Sequence, residues 1–145
     1  MQKIIAVDFD GTIVENAYPD IGKPLLFAFD TLKKLQAEGH TLILWTYRAG
    51  KKLDEAVAFC AKHDLQFYAI NCSYPEEVFS EKISRKIQAD IFIDDRNVGG
   101  MKGWGEIYHE LSDRKVAKPS LKKAKKSGGF LSKLEHLFKE DNDHS

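Results

Sequence analysis

The sequence predicts an α/β domain on a doubly wound, Rossmann-like parallel sheet, and three observations predict it. Short runs such as Ile4–Val7, Leu42–Trp45 and Ile91–Ile93 are uniformly apolar rather than alternating, as strands buried on both faces are. Between them lie segments whose apolar residues recur at three- and four-residue spacing, the mark of amphipathic helices. The two patterns alternate along the chain, which implies parallel βαβ crossovers.

The first strand is predicted over Lys3–Val7 (KIIAV). Pro24 then opens a helix with Leu25, Ala28, Phe29, Leu32 and Leu35 on one face, and Gly39 closes it. Thr41–Trp45 (TLILW) is the second strand. Leu53, Ala56, Val57, Cys60 and Ala61 mark the second helix, Phe67–Ile70 the third strand and Ile91–Ile93 the fourth. Phe79, Ile83 and Ile87, spaced by four, suggest a helix before that fourth strand. Trp104, Ile107, Tyr108 and Leu111 mark a closing helix.

At 145 residues and 43% apolar the chain fits one domain of ordinary size with a real core, which excludes a disordered polypeptide. No stretch reaches the roughly 18 to 20 apolar residues that cross a bilayer, and the acidic interruptions of MQKIIAVDFDGT are unlike a signal peptide. A cytoplasmic location is the expectation. Cys60 and Cys72 form no disulfide framework. Net charge is zero but uneven: residues 113–145 carry nine Lys/Arg against five Asp/Glu, and Arg114–Lys126 contains no acid. The folded domain is therefore expected over 1–112, with 113–145 a Lys-rich linker and a short amphipathic helix at Phe130–Lys139. Such a tail admits nucleic-acid contact, self-association or simple docking on the parent domain.

Ligands of doubly wound sheets bind outside the carboxyl ends of the strands. The first strand is followed by Asp8 and Asp10, the second by Thr46, Tyr47 and Arg48, and the fourth by Asp94, Asp95 and Arg96. Four carboxylates crowded at one edge repel unless a cation lies between them. Oxygen-only ligands point to a hard cation, Mg²⁺ best, and its open positions suit a phosphoryl group. A lone Asp at a strand end is often only a turn or cap residue; three such ends together argue for chemistry.

VDFDGTIV (Val7–Val14) resembles the first signature of the haloacid dehalogenase superfamily of phosphotransferases, an Asp-x-Asp-x-Thr after the first strand. LILWTYR resembles its second, a strand ending in Ser/Thr, and IFIDDR its fourth, a strand ending in paired aspartates. The resemblance covers residues 1–112. It implies that Asp8 is the nucleophile, Asp10 the general acid/base and Thr46 a phosphoryl hydrogen-bond donor. Asp8, the Asp10 carbonyl and one of Asp94 and Asp95, Asp95 being favoured, would hold Mg²⁺. The third signature is a phosphate-neutralising lysine. Lys86 is the match in RKIQADIFIDD, and Lys82 lies one turn closer if the preceding segment is helical. Tyr47 and Arg48 fall on the substrate side, although Arg48 reads equally as a surface arginine. Arg96 reads as a partner of a carboxylate.

Superfamily members often insert a cap domain, and here neither Glu15–Pro24 nor Tyr47–Ser84 has room for one. A capless, open site is expected, with Tyr18-Pro19, the Asn71–Pro75 loop or an oligomer partner as lid. The resemblance implies a Mg²⁺-dependent phosphohydrolase of phosphomonoesters. The alternatives are a nucleotide or polynucleotide-end phosphatase, or a non-catalytic phosphate- or Mg²⁺-binding module.

Overall fold

The computed structural model describes residues 1–82 and 84–112, and the amphipathic segment expected at Phe130–Lys139 lies outside them. Among the described residues a four-stranded, all-parallel sheet is built from β1 (Ile4–Val7), β2 (Thr41–Leu44), β3 (Ala69–Ile70) and β4 (Ile91–Ile93), in the order β3-β2-β1-β4. α1 (Ala28–Ala37) links β1 to β2, α2 (Gly50–Lys62) links β2 to β3, and α3 occupies 104–112. Met1–Tyr108 forms one compact unit containing the sheet.

The uniformly apolar runs are buried as such runs must be: Ile5, Val7, Leu42, Ile43 and Leu44 are wholly inaccessible. Each such side chain contributes about 1.5–3 kcal/mol. Alternation along the strands puts Ala6, Ile43 and Ala69 on one face, where Ile87 closes over them with Trp45, Cys72 and Ala89 at its edge. Phe29 of α1 packs on Phe59 and stacks on His63 at 4.2 Å, tying the two helices together. Burial pushes the Cys60 thiol up to about 12, so it is an inert core residue.

Both helices end the same way. After α1, the Gly39 and His40 amides bond to the Gln36 and Leu35 carbonyls, and Gly39 adopts φ +99°. After α2, Asp64 takes the left-handed position at φ +62°, and the Asp64 and Leu65 amides bond to Ala61 and Cys60. These are Schellman closures, with the C″ residue of the second, Leu65, buried in the core.

Two expected helices are corrected. α1 does not begin at Pro24: the Leu25 amide is taken by Ile13 O at 2.8 Å, Pro24 pairs with Val14 in an antiparallel bridge, and Phe27 sits at φ +68°. The chain before Ala28 is a small hairpin-like flap, not a helical turn. Phe79 and Ile87 do not share a helix. Ser80 and Ser84 side chains accept from the Lys82 and Lys86 amides, local bonds that compete with helix, and Gln88 bonds to Ser73 Oγ. The chain through Ile87 and Ala89 then runs extended into β4, with the Asp90 amide on Ile4 O. The third strand is shorter than expected, Ala69–Ile70, although Tyr68 N–H still bonds to Leu42 O.

Candidate functional site

Passing along the sheet, the chain runs β1, β2, β3 to one side and returns to the other side of β1 for β4. The order reverses between β1 and β4, where a ligand crevice forms in open parallel sheets. Register sets what meets there. Val7 pairs with Leu44 and with Ile93, so Asp8 emerges level with Asp94 and its amide bonds to Ile93 O at 3.0 Å. One carboxylate oxygen from each of Asp8, Asp94 and Asp95 lies within 4.8 Å of the others. All three residues are half-buried.

Thr12 organises this cluster. It is wholly buried; its hydroxyl donates to Asp8 Oδ2 at 3.0 Å, accepts from the Asp95 amide at 3.0 Å and stands 3.4 Å from Asp95 Oδ1. Its carbonyl in turn accepts from the Trp104 indole at 2.8 Å. Gly11 makes the approach feasible: at φ +85°, a Cβ there would sit 2.2 Å from Asp95 Oδ2. The Arg96 amide donates to Asp94 Oδ1, so it is the backbone of Arg96 that orients the pair.

Burial, and then the charge of Asp94, push the Asp8 carboxyl from the usual carboxylate range up to about 7. The Phe9 amide and the Thr12 hydroxyl pull the other way, and Asp95 adds to the rise. A cluster in this condition is short of positive charge. Its donors are all carboxylate oxygens, the set that suits a hard divalent cation, so Asp8, Asp94 and Asp95 fit a Mg²⁺-type ion.

Asp10 does not join them. Its two oxygens accept from Arg48 Nε at 2.7 Å and Arg48 Nη2 at 2.8 Å, a bidentate pair. Arg48 is 1% exposed and neither contacts solvent as a surface residue nor presents its guanidinium at the strand end. It also donates to the carbonyls of Asp20 and Lys52 and lies over the rings of Phe9 and Tyr18. Of the phosphate contact and the surface position that the sequence left open for Arg48, the structure shows neither: four of its five N–H groups are engaged by Asp10, Asp20 and Lys52. Thr46 is at the expected strand end, its amide on Asn71 Oδ1 at 2.8 Å and its Oγ1 accepting from the Arg48 amide at 3.1 Å. Tyr47 is bare to solvent.

Neither lysine reaches the cluster. Lys82 is exposed, and the Lys86 ammonium lies 5.7 Å over the ring of Phe92, two residues short of Asp94 on β4. Neither forms an ion pair with Asp8, Asp94 or Asp95 among the described residues. Sequence reasoning passed over Thr12 and Asn71 as site residues. The Asp-Gly-Thr turn was the available signal for Thr12; nothing local marked Asn71, which sits at φ +57°.

No helix among the described residues is long and apolar enough to cross a membrane. No protein-family model matches the chain, and no curated protein matches it. A solved structure, that of a conserved protein coded by a locus of Bacteroides thetaiotaomicron, is similar at 54% identity with a TM-score of 0.75, over 80% of this chain and 94% of that one. At that identity and coverage, the chain belongs to the same family as this conserved Bacteroides thetaiotaomicron protein.

Proposed function

We propose that the protein is a capless, haloacid-dehalogenase-like phosphohydrolase that cleaves phosphomonoesters through an aspartyl-phosphate on Asp8, with Mg²⁺ as cofactor. The observation that carries the reading is the trio Asp8, Asp94 and Asp95 at the switch point of a parallel sheet, with Asp8 pushed up to about 7 by burial and by the charge of Asp94. Mg²⁺ bound by these residues would supply charge neutralisation for the phosphoryl oxygens and the nucleophile. Asp8 attacks phosphorus with one carboxylate oxygen while Thr12 holds the other, and the bond from phosphorus to the leaving oxygen breaks. Asp10, once released from Arg48 and carrying a proton taken from water, gives that proton to the leaving oxygen; the attacking water then returns a proton to Asp10 as its oxygen displaces Asp8 from phosphorus, releasing phosphate. That role requires the Asp10 carboxyl to leave Arg48 for the reacting oxygen. Thr46 Oγ1 accepts from the Arg48 amide and directs its own hydrogen to a phosphoryl oxygen.

One observation favours a second reading, a non-catalytic phosphate- and Mg²⁺-binding module: Asp10 is clamped by Arg48, and Lys82 and Lys86 stand away from the carboxylates. Phosphate release from a panel of phosphomonoesters, with Mg²⁺ and with chelator, separates the two. The expected result is Mg²⁺-dependent turnover that Asp8→Asn lowers by about a thousandfold or more in a folded protein. Turnover unaffected by Asp8→Asn, or no turnover of any ester although Mg²⁺ binds, overturns the hydrolase reading.

A further inference from the structure

Beside the carboxylates stands an aromatic feature that the chemistry above does not use. Tyr47 is 89% exposed and Tyr18 47% exposed, with ring centroids 6.1 Å apart and planes inclined at 71°. A lone exposed aromatic is unremarkable. This pair is different because it is rooted in the core. The wholly buried Phe9 ring lies 5.2 Å from the Arg48 guanidinium carbon, and the Tyr18 ring covers the same carbon at 5.1 Å. Arg48 is itself fixed by Asp10 and by the Asp20 and Lys52 carbonyls, and the Tyr18 amide bonds to Asn16 Oδ1. The Phe9 and Tyr18 rings both lie against the guanidinium, and Tyr18 in turn meets Tyr47.

The corner also has a defined relation to the site. The Trp45 amide bonds to Val7 O at 2.8 Å, so Trp45 lies beside the residue preceding Asp8, and Tyr47 is two residues further on. With strands about 4.8 Å apart and consecutive Cα atoms about 3.8 Å apart, the Tyr47 backbone lies within about 12 Å of that of Asp8. Two rings at a steep angle offer a planar π system a face to stack on and an edge to meet, the two arrangements that aromatic pairs prefer.

Resting on the phosphomonoester reading, we propose that Tyr18 and Tyr47 form a stacking platform for the planar base of the substrate, so that the site takes nucleoside monophosphates. Phosphate sits at Asp8, the pentose spans the gap, and the base lies in the tyrosine corner. Stacking of this kind is tolerant of base identity, because every base presents a π face.

Adenosine 5′-monophosphate and ribose 5-phosphate share phosphate and pentose and differ by the base alone. Full-length protein is compared for kcat/KM on both with Mg²⁺, and for Kd by calorimetry with Ca²⁺ in its place. The expected preference for the nucleotide is about tenfold or more in both measurements. Tyr47→Ala brings the ratio to about one, and Tyr47→Phe keeps it. Equal values for the two compounds in the unmodified protein, or a preference that survives Tyr47→Ala, overturns the platform and leaves the phosphohydrolase standing. Failure to bind or cleave either compound, while other phosphomonoesters are cleaved, likewise removes the platform alone. Failure with every phosphate ester overturns both.

Discussion

Arg48 is the residue whose replacement tests the described geometry most directly. In Arg48→Lys the charge stays and the planar fork goes. A lysine ammonium can serve one Asp10 oxygen; the second charge-assisted bond is lost, at about 1.5 kcal/mol or more, and the Asp20 and Lys52 carbonyls lose a donor, at about 0.5–1.5 kcal/mol each. The sum is about 3 kcal/mol. Arg48→Met removes the charge and leaves Asp10, whose side chain is 14% exposed, without a counterion; breaking such a pair costs about 3–5 kcal/mol. Urea unfolding at pH 7 reads both: the midpoint falls while the slope with denaturant stays constant. In heat, about 3 kcal/mol corresponds to a Tm lower by on the order of 12 °C for a domain near 100 residues. Adding Asp10→Asn to Arg48→Met should recover about 2 kcal/mol, because the stranded charge is gone. If Arg48→Lys unfolds within about 0.5 kcal/mol of the unmodified protein, the guanidinium is not the buried hub that its bonds describe.

The raised Asp8 carboxyl makes the metal-free protein pH-sensitive in a defined direction. Folded, Asp8 keeps its proton up to about pH 7, whereas the unfolded chain releases it near 3.8, so stability is fullest below that value and falls as pH rises through 7, by on the order of 2–4 kcal/mol. Melting temperatures from pH 4 to 8 in chelator should show the decline, and millimolar Mg²⁺ should reverse it at pH 8 and do little at pH 5; a flat profile refutes it. Gly11→Ala places a Cβ against Asp95 at a backbone angle of +85°, and should cost about 1–3 kcal/mol and weaken Mg²⁺ binding by calorimetry, whereas Gly103→Ala, with nothing nearby, should leave Mg²⁺ affinity unchanged.

What the chain disclosed about itself follows the range of the forces involved. Ile4–Val7, Thr41–Leu44 and Ile91–Ile93 are legible because a strand buried on both faces must be apolar at every position. The carboxylates are legible for the same reason, since each directly follows such a run. The start of α1 was not, because the Leu25 amide is claimed by Ile13, twelve positions earlier, and Pro24 signals a helix start only if that claim is absent. Ile87 misled because four-residue spacing from Ile83 and two-residue spacing to Ala89 fit different elements; the core pocket formed by Ala6, Ile43 and Ala69 selects the second. With Ile87 held in that pocket and the chain running on into β4, Lys86 stands over Phe92 and makes no ion pair with the carboxylates.

The direction of Arg48 was beyond sequence reading for a different reason. Its partner, Asp10, is 38 positions away, and local pattern says only that a guanidinium follows Thr46. The pairing changes the electrostatics that the sequence suggested. Asp8 and Asp10 leave the same strand two residues apart, yet Asp10 is neutralised within the protein while Asp8, Asp94 and Asp95 are not. The carboxylates without an ion-pair partner among the described residues are thus a trio rather than a quartet, and the fourth carboxylate serves first as the anchor of Arg48. Because Arg48 in turn backs Tyr18, one buried ion pair joins the acidic site to the aromatic corner beside it. A change at Asp10 should therefore be felt on both sides: in the proton transfer proposed for it and in the seating of Tyr18, which Asp10→Asn would loosen without touching the three carboxylates.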